Sequence, residues 1–102
     1  MSTDTLSLGN ELTIVQAAAL RETLLARLAS APRELRLDLA DVSDFDSAGV
    51  QLLLATQRSL ADAGARLVVS AASATVRRNL EVFGLGLLLE PAATQAAQRS
   101  PA

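Results

Sequence analysis

The sequence predicts a single α/β domain, with a mixed, mostly parallel β-sheet of four to five strands packed by three to four helices. Three observations carry that expectation. Leu35, Leu37 and Leu39 alternate with Glu34, Arg36 and Asp38, the period-2 pattern of a strand with one buried face. Leu67-Val68-Val69 is an apolar run too short for a helix, and reads as a buried parallel strand. Between such runs lie segments whose apolar residues recur at helical spacing. Strands alternating with helices imply a sheet with helices packed on it through right-handed crossovers.

Thr5–Leu8 is the first strand candidate, closed by the turn pair Gly9-Asn10. Glu11–Ile14 can return as a second strand, making a hairpin. Thr13 followed three residues later by Gln16 fits a capping box. A helix is expected from about Val15 to Leu28, with Leu20, Leu24, Leu25 and Leu28 on one face. Ala31-Pro32 ends it, because proline disfavours the helical conformation in the residue before it. The strand Glu34–Ala40 follows, then a loop over Asp41–Asp46.

A second helix is expected from Ser47 to about Ala63, with Val50, Leu53, Leu54, Gln57, Leu60 and Ala61 at helical spacing and Gly64 closing it. The strand over Arg66–Ser70 and the one over Glu34–Ala40 are the candidates for the centre of the sheet. Ser73 can cap a third helix from Ala74 to Phe83 that buries Val76, Leu80 and Phe83, and Gly84 stops it. Leu87–Leu89 suits either a last strand or the start of a helix. Residues 1–91 therefore form the domain, and residues 92–102 a C-terminal tail, frayed or a short helix.

Composition removes whole classes of chemistry. The 102 residues contain no Cys and no His, which excludes disulfides, thiol nucleophiles and imidazole acid–base catalysis, and no zinc-ligand cluster is expected. The aromatic content is two Phe, Phe45 and Phe83, so bases have no stacking platform. All nine cations are Arg, scattered along a chain of net charge −2, and no basic stripe suits nucleic acid. No signal peptide is expected, and no apolar run approaches the ~20 residues of a membrane span. The expected location is the cytoplasm, with no cofactor and no metal.

Chemistry concentrates in Asp41–Gly49, which leaves the carboxyl end of a central strand and enters a helix, where open α/β sheets tend to place their sites. Ser47 falls at the N-cap or first turn of that helix. A phosphate there would meet unpaired backbone N–H groups and the positive end of the helix dipole. The plainer reading is that Ser47 only caps the helix. Gly49 inside a helical turn costs about 1 kcal/mol relative to Ala. Either a partner's backbone approaches it or the helix packs tightly on the sheet. Asp41, Asp44 and Asp46 read as solvated turn formers, and they lack the length and terminal Glu of an EF-hand loop. Phe45, Leu85 and Leu88 are assigned to the core.

Leu35-Arg36-Leu37-Asp38-Leu39-Ala40-Asp41-Val42 followed by Phe45-Asp46-Ser47-Ala48-Gly49-Val50 resembles the core of the STAS domain, shared by sulfate transporters and anti-sigma factor antagonists. The resemblance runs through Gly64-Ala65-Arg66-Leu67 and Val76-Arg77 to Phe83-Gly84-Leu85, covering roughly Leu6 to Leu89. It implies a protein-binding module rather than an enzyme. Its partner would be an anti-sigma factor that is also a Ser kinase of the histidine-kinase-like ATPase type, and Ser47 the phosphorylated residue. The implied contact surface is Thr13, Asp44, Phe45, Asp46, Ser47, Ala48, Gly49 and Val50. Antagonists often have Gly-Glu-Leu-Asp where this chain has Asn10-Glu11-Leu12-Thr13, and Ser or Thr where it has Ala48. These departures also resemble short STAS adaptors of chemotaxis or signalling complexes, or of phospholipid-transport ABC complexes, some of which work without phosphorylation.

Overall fold

The computed structural model describes residues 3–89. The expected tail over 92–102 lies outside the described residues. Five strands and three helices follow one another as β1 (Thr3–Ser7), β2 (Glu11–Leu12), α1 (Ala17–Leu28), β3 (Glu34–Leu39), β4 (Asp44–Phe45), α2 (Ser47–Asp62), β5 (Arg66–Ala72) and α3 (Ala74–Val82), with a 3-10 turn at Gly86–Leu88. The strands form two parallel sheets, one ordered β1-β3-β5 and one pairing β2 with β4.

The expected hairpin does not form. Gly9 does turn the chain, at φ 79°, but β1 lies parallel to β3 with Leu6 beside Leu37, and β2 pairs with β4 instead. The reason is burial: β3 has Leu35, Leu37 and Leu39 fully buried and two edges to satisfy. Parallel pairing with β1 and β5 covers both edges and directs Leu6 and Leu8 into the same core. β5 is therefore the flank of the three-stranded sheet rather than its centre, and Leu89 bridges to it at Val69. The ladder slips between Leu37 and Asp38, where the Ser70 hydroxyl donates to the Leu37 carbonyl at 3.2 Å.

Helix α1 begins two residues later than its pattern suggests, and the Thr13–Gln16 capping box is absent. Gln16 offers no side-chain cap, and the Thr13 hydroxyl donates to Glu11 at 2.6 Å. Only Leu24 on its apolar face is fully buried; Leu20 and Leu28 are partly covered and Leu25 is 46% exposed. The helix ends as expected before Pro32, but Ala31 takes a left-handed conformation, φ 52°, instead of an extended one. Arg27 ties α1 to β1 by donating to Asp4 at 2.6 Å.

Helix α2 buries Val50, Leu53 and Leu60 as expected. Thr56 joins them in the interior, its hydroxyl satisfied by the Leu52 carbonyl at 2.8 Å. In α3, Ser73 caps Val76 and both Val76 and Leu80 are buried, whereas Phe83 is half exposed at the helix end. Leu88 is buried, and Leu85 and Phe45 pack partly against the core.

Candidate functional site

The loop from β3 to α2 is held from both sides. Val42 is buried, and its carbonyl accepts from the Ser73 hydroxyl at 2.6 Å. Ser43 donates from its backbone to the Asn10 carbonyl at 2.9 Å, and the Asp46 backbone donates to Leu12 at 3.2 Å. Those bonds make Asp44–Phe45 a short strand, β4, where the sequence suggested only loop. Two residues, one of them Asp, carry too little pattern to show as a strand.

Asp46, not Ser47, is the N-cap of α2. One carboxylate oxygen accepts from the backbone N–H of Ala48 at 2.9 Å and of Gly49 at 3.3 Å. The other accepts from the N–H of Ile14 at 3.1 Å, across 32 residues of sequence. One side chain thus caps a helix and fixes the β2–α1 turn beside it. The bond from Ile14 is the main reason the Asp46 carboxyl is held below its ordinary value of 3.8, aided by Gly49 and Ala48 and opposed by partial desolvation.

Ser47 is therefore the first residue of α2 proper. It is exposed, and its hydroxyl makes no hydrogen bond with any described residue. The plain expectation that Ser47 caps the helix is not met, because the residue before it does that work. Gly49 resolves the other way. It is buried, and a Cβ there would fall on the Leu12 carbonyl oxygen and 2.6 Å from two ring carbons of Phe45. Its purpose is close packing of α2 on β2 and β4.

Of the other residues expected at the surface, Asp44 is exposed, while Thr13, Phe45, Asp46 and Ala48 are partly exposed. Val50 is buried at 2% and, with Gly49, supports the surface from beneath. Two neighbours were missed. Ile14, whose N–H binds Asp46, and its neighbour Val15 are 72% and 78% exposed. The expected strand over Glu11–Ile14 stops at Leu12 and the helix expected from about Val15 starts at Ala17, which leaves this β-branched pair outside both elements. No group of three or more acidic side chains able to hold a metal occurs among the described residues. No helix among them is long and apolar enough to cross a membrane.

Asp46 gives a first measurable expectation. A carboxyl whose folded pKa is depressed contributes stability above its unfolded pKa and loses that contribution as pH falls through the folded value. Asn at this position keeps an oxygen for the helix cap but has no second acceptor for Ile14. Asp46→Asn should melt a few degrees below wild type at pH 7. That gap should narrow as pH falls from 4 through the depressed folded value, with the low pKa of Glu34, set first by Arg66, common to both proteins. Thermal melts by circular dichroism between pH 7 and pH 3 check it. A gap independent of pH would remove the carboxylate charge from the account.

Residues 1–90 match the family model described as Mlab, STAS domain. The anti-sigma-F factor antagonist RsfB of Mycobacterium tuberculosis is 35% identical over 80 residues, which is 78% of this chain. The match spans 65% of the length of RsfB. The crystal structure of an anti-sigma factor antagonist from Mycobacterium paratuberculosis superposes with a TM-score of 0.78 at 28% identity, over 95% of this chain and 86% of that one. SpoIIAA, an anti-sigma factor antagonist solved in its unphosphorylated form, superposes with a TM-score of 0.76 over 99% of this chain and 92% of its own. At 24% identity that likeness speaks for the fold alone. The α/β arrangement, the strand–loop–Asp-Ser-Ala-Gly–helix segment and the match over residues 1–90 agree, and the chain belongs to the STAS domain family.

Proposed function

We propose that this chain is a cytoplasmic anti-sigma factor antagonist, a protein-binding module whose grip on its partner is released by phosphorylation of Ser47. The partner under this reading is an anti-sigma factor with Ser kinase activity of the histidine-kinase-like ATPase type. It transfers the terminal phosphoryl group of ATP to Ser47 Oγ, which gives up its proton, and ADP is the leaving group. Thr13, Asp44, Ser47 and the exposed edges of Phe45, Asp46 and Ala48 form the contact, with Gly49 and Val50 holding them from below.

One observation carries the reading. The Ser47 hydroxyl stands exposed on the first turn of α2 with no bond to any described residue, because Asp46 has taken over the capping. A serine in that place is available to a kinase, and the helix N-terminus tolerates the charge it would receive. Antagonist relatives that align with most of the chain support the same role. A second reading, a non-phosphorylated STAS adaptor of a chemotaxis or signalling array or of a phospholipid-transport ABC complex, draws on the family model described by the name Mlab.

Intact-mass measurement of the protein purified from its own cells, with fragmentation to place any modification, separates the two. The expected result is a phosphorylated fraction with the phosphate on Ser47. Unmodified protein across growth and stress conditions would favour the adaptor.

A further inference from the structure

A groove of about 620 Å³ opens between α1 and α2, and nothing in the phosphorylation reading uses it. Its walls are mostly apolar, with Gln51, Thr56 and Ser59 on the α2 side. Leu25 stands 46% exposed in it, and Leu28 and Leu52 are only partly covered. Ala55 and Ala48 keep the α2 side low enough for another backbone to come near. Arg21 is the single charged residue of the lining, and it makes no hydrogen bond or ion pair with any described residue. The groove also continues into the Ser47 surface. Ala48 belongs to both, and the exposed Ile14, bonded to Asp46, and Val15 immediately precede α1 at that end.

We infer that this groove receives an amphipathic helix of the anti-sigma partner, apolar face inward, with an acidic side chain set against Arg21. The inference rests on the antagonist reading and extends it from one serine to a second contact element. A helix laid between two helices buries its apolar stripe and keeps its polar face in water, as an open groove requires. A small apolar ligand is a poorer fit, since ligand sites enclose some 70–90% of their occupant and this groove is only partly enclosed. A second copy presenting the same groove offers no acidic group to Arg21. The charge therefore selects a partner bearing carboxylates, and the apolar walls supply the contact area.

The test uses the full chain and the protein that wild type retains from its own cells and Ser47→Glu releases. Ala55→Arg, on the exposed side of α2, should fill the groove and weaken binding of that protein roughly 30-fold, with melting unchanged. Arg21→Glu should weaken it about 10-fold, and Arg21→Lys should restore most of the loss. A photo-crosslinker at Ala55 should attach to one helical, acidic segment of the same protein. Unchanged binding in both Ala55→Arg and Arg21→Glu, with Ser47→Glu still releasing the partner, overturns the groove and leaves the antagonist reading standing. Crosslinks to a second copy of this chain, or a fatty acid found in the groove, overturn it as well. If wild type retains no protein that Ser47→Glu releases, both proposals fall together.

Discussion

Ser47→Glu is expected to weaken binding of the anti-sigma partner by about 100-fold, while Ser47→Ala stays within about twofold of wild type and melts at the same temperature. The asymmetry follows from the local geometry. The Ser47 hydroxyl is bonded to no described residue, so removing it costs the fold nothing the structure records. A carboxylate in its place stands one residue from Asp46, whose low pKa keeps it charged, and three from the exposed Asp44. Any partner surface adapted to that cluster then faces one more negative charge, and a contact that excluded water at an alcohol must now desolvate an anion. The helix dipole works the other way in the free protein, favouring an anion on the first turn by about 0.3–1 kcal/mol. The switch thus acts on the complex and spares the domain. A phosphate adds between one and two charges where Glu adds one, so the glutamate effect is a lower bound on the natural one. Titration calorimetry of the three proteins against the captured partner reads both effects. Retained affinity in Ser47→Glu removes the phospho-switch, and lost affinity in Ser47→Ala makes the hydroxyl itself a contact.

How much of this was legible in the sequence depends on whether a residue's role is set by its neighbours in the chain or by distant ones. Leu35, Leu37 and Leu39 carry their own evidence, since a two-residue period states which face is buried, and all three are fully buried. The α2 pattern is equally local, and Gly64 ends that helix at φ 75° as its position implied. Gly9-Asn10 marks a turn, but a turn does not choose its strand's partner; the choice followed from the two open edges of β3, which no local pattern records. Leu25 and Phe83 sit on apolar faces that the fold leaves partly uncovered, and a helical period cannot say how far a neighbour reaches. The site shows the same division. The Asp46-Ser47 pair announces a helix start, but both residue types cap. The Ala48 and Gly49 N–H groups take the carboxylate as the cap, while the tie from its other oxygen to the Ile14 N–H, 32 residues earlier, is one no local pattern records.

Gly49 is the residue whose replacement should disturb the site most, and two opposing effects decide the sign. In an exposed helix, Gly→Ala gains about 1 kcal/mol from backbone preference. At Gly49 the added Cβ falls on the Leu12 carbonyl oxygen and comes 2.6 Å from two carbons of the Phe45 ring, closer than such atoms approach. Phe45 can give only by tilting out of its place against the core. The Leu12 carbonyl can give only by loosening the 3.2 Å bond it accepts from Asp46 N–H. Overpacking of this kind costs about 1–3 kcal/mol, and a backbone obstacle belongs at the upper end. Gly49→Ala should therefore be destabilised by about 1–2 kcal/mol, a fall of roughly 5–15 °C in melting temperature for a domain of this size. Gly49→Val should be worse, with two further methyl groups and a β-branch in the same space. Gly86→Ala is the control: its Cβ would meet nothing within 4 Å and its φ is not positive, so it should be neutral or slightly stabilising. Because Asp46 links the start of α2 to Ile14, the strain in Gly49→Ala should also reach the Ser47 surface and weaken partner binding. Hydrogen exchange at the Ile14 amide reports on that link, and faster exchange in Gly49→Ala than in Gly86→Ala is the expected result. A Gly49→Ala protein as stable as wild type would mean that α2 can slide on β2 and β4, and that the glycine's place there answers to the partner instead.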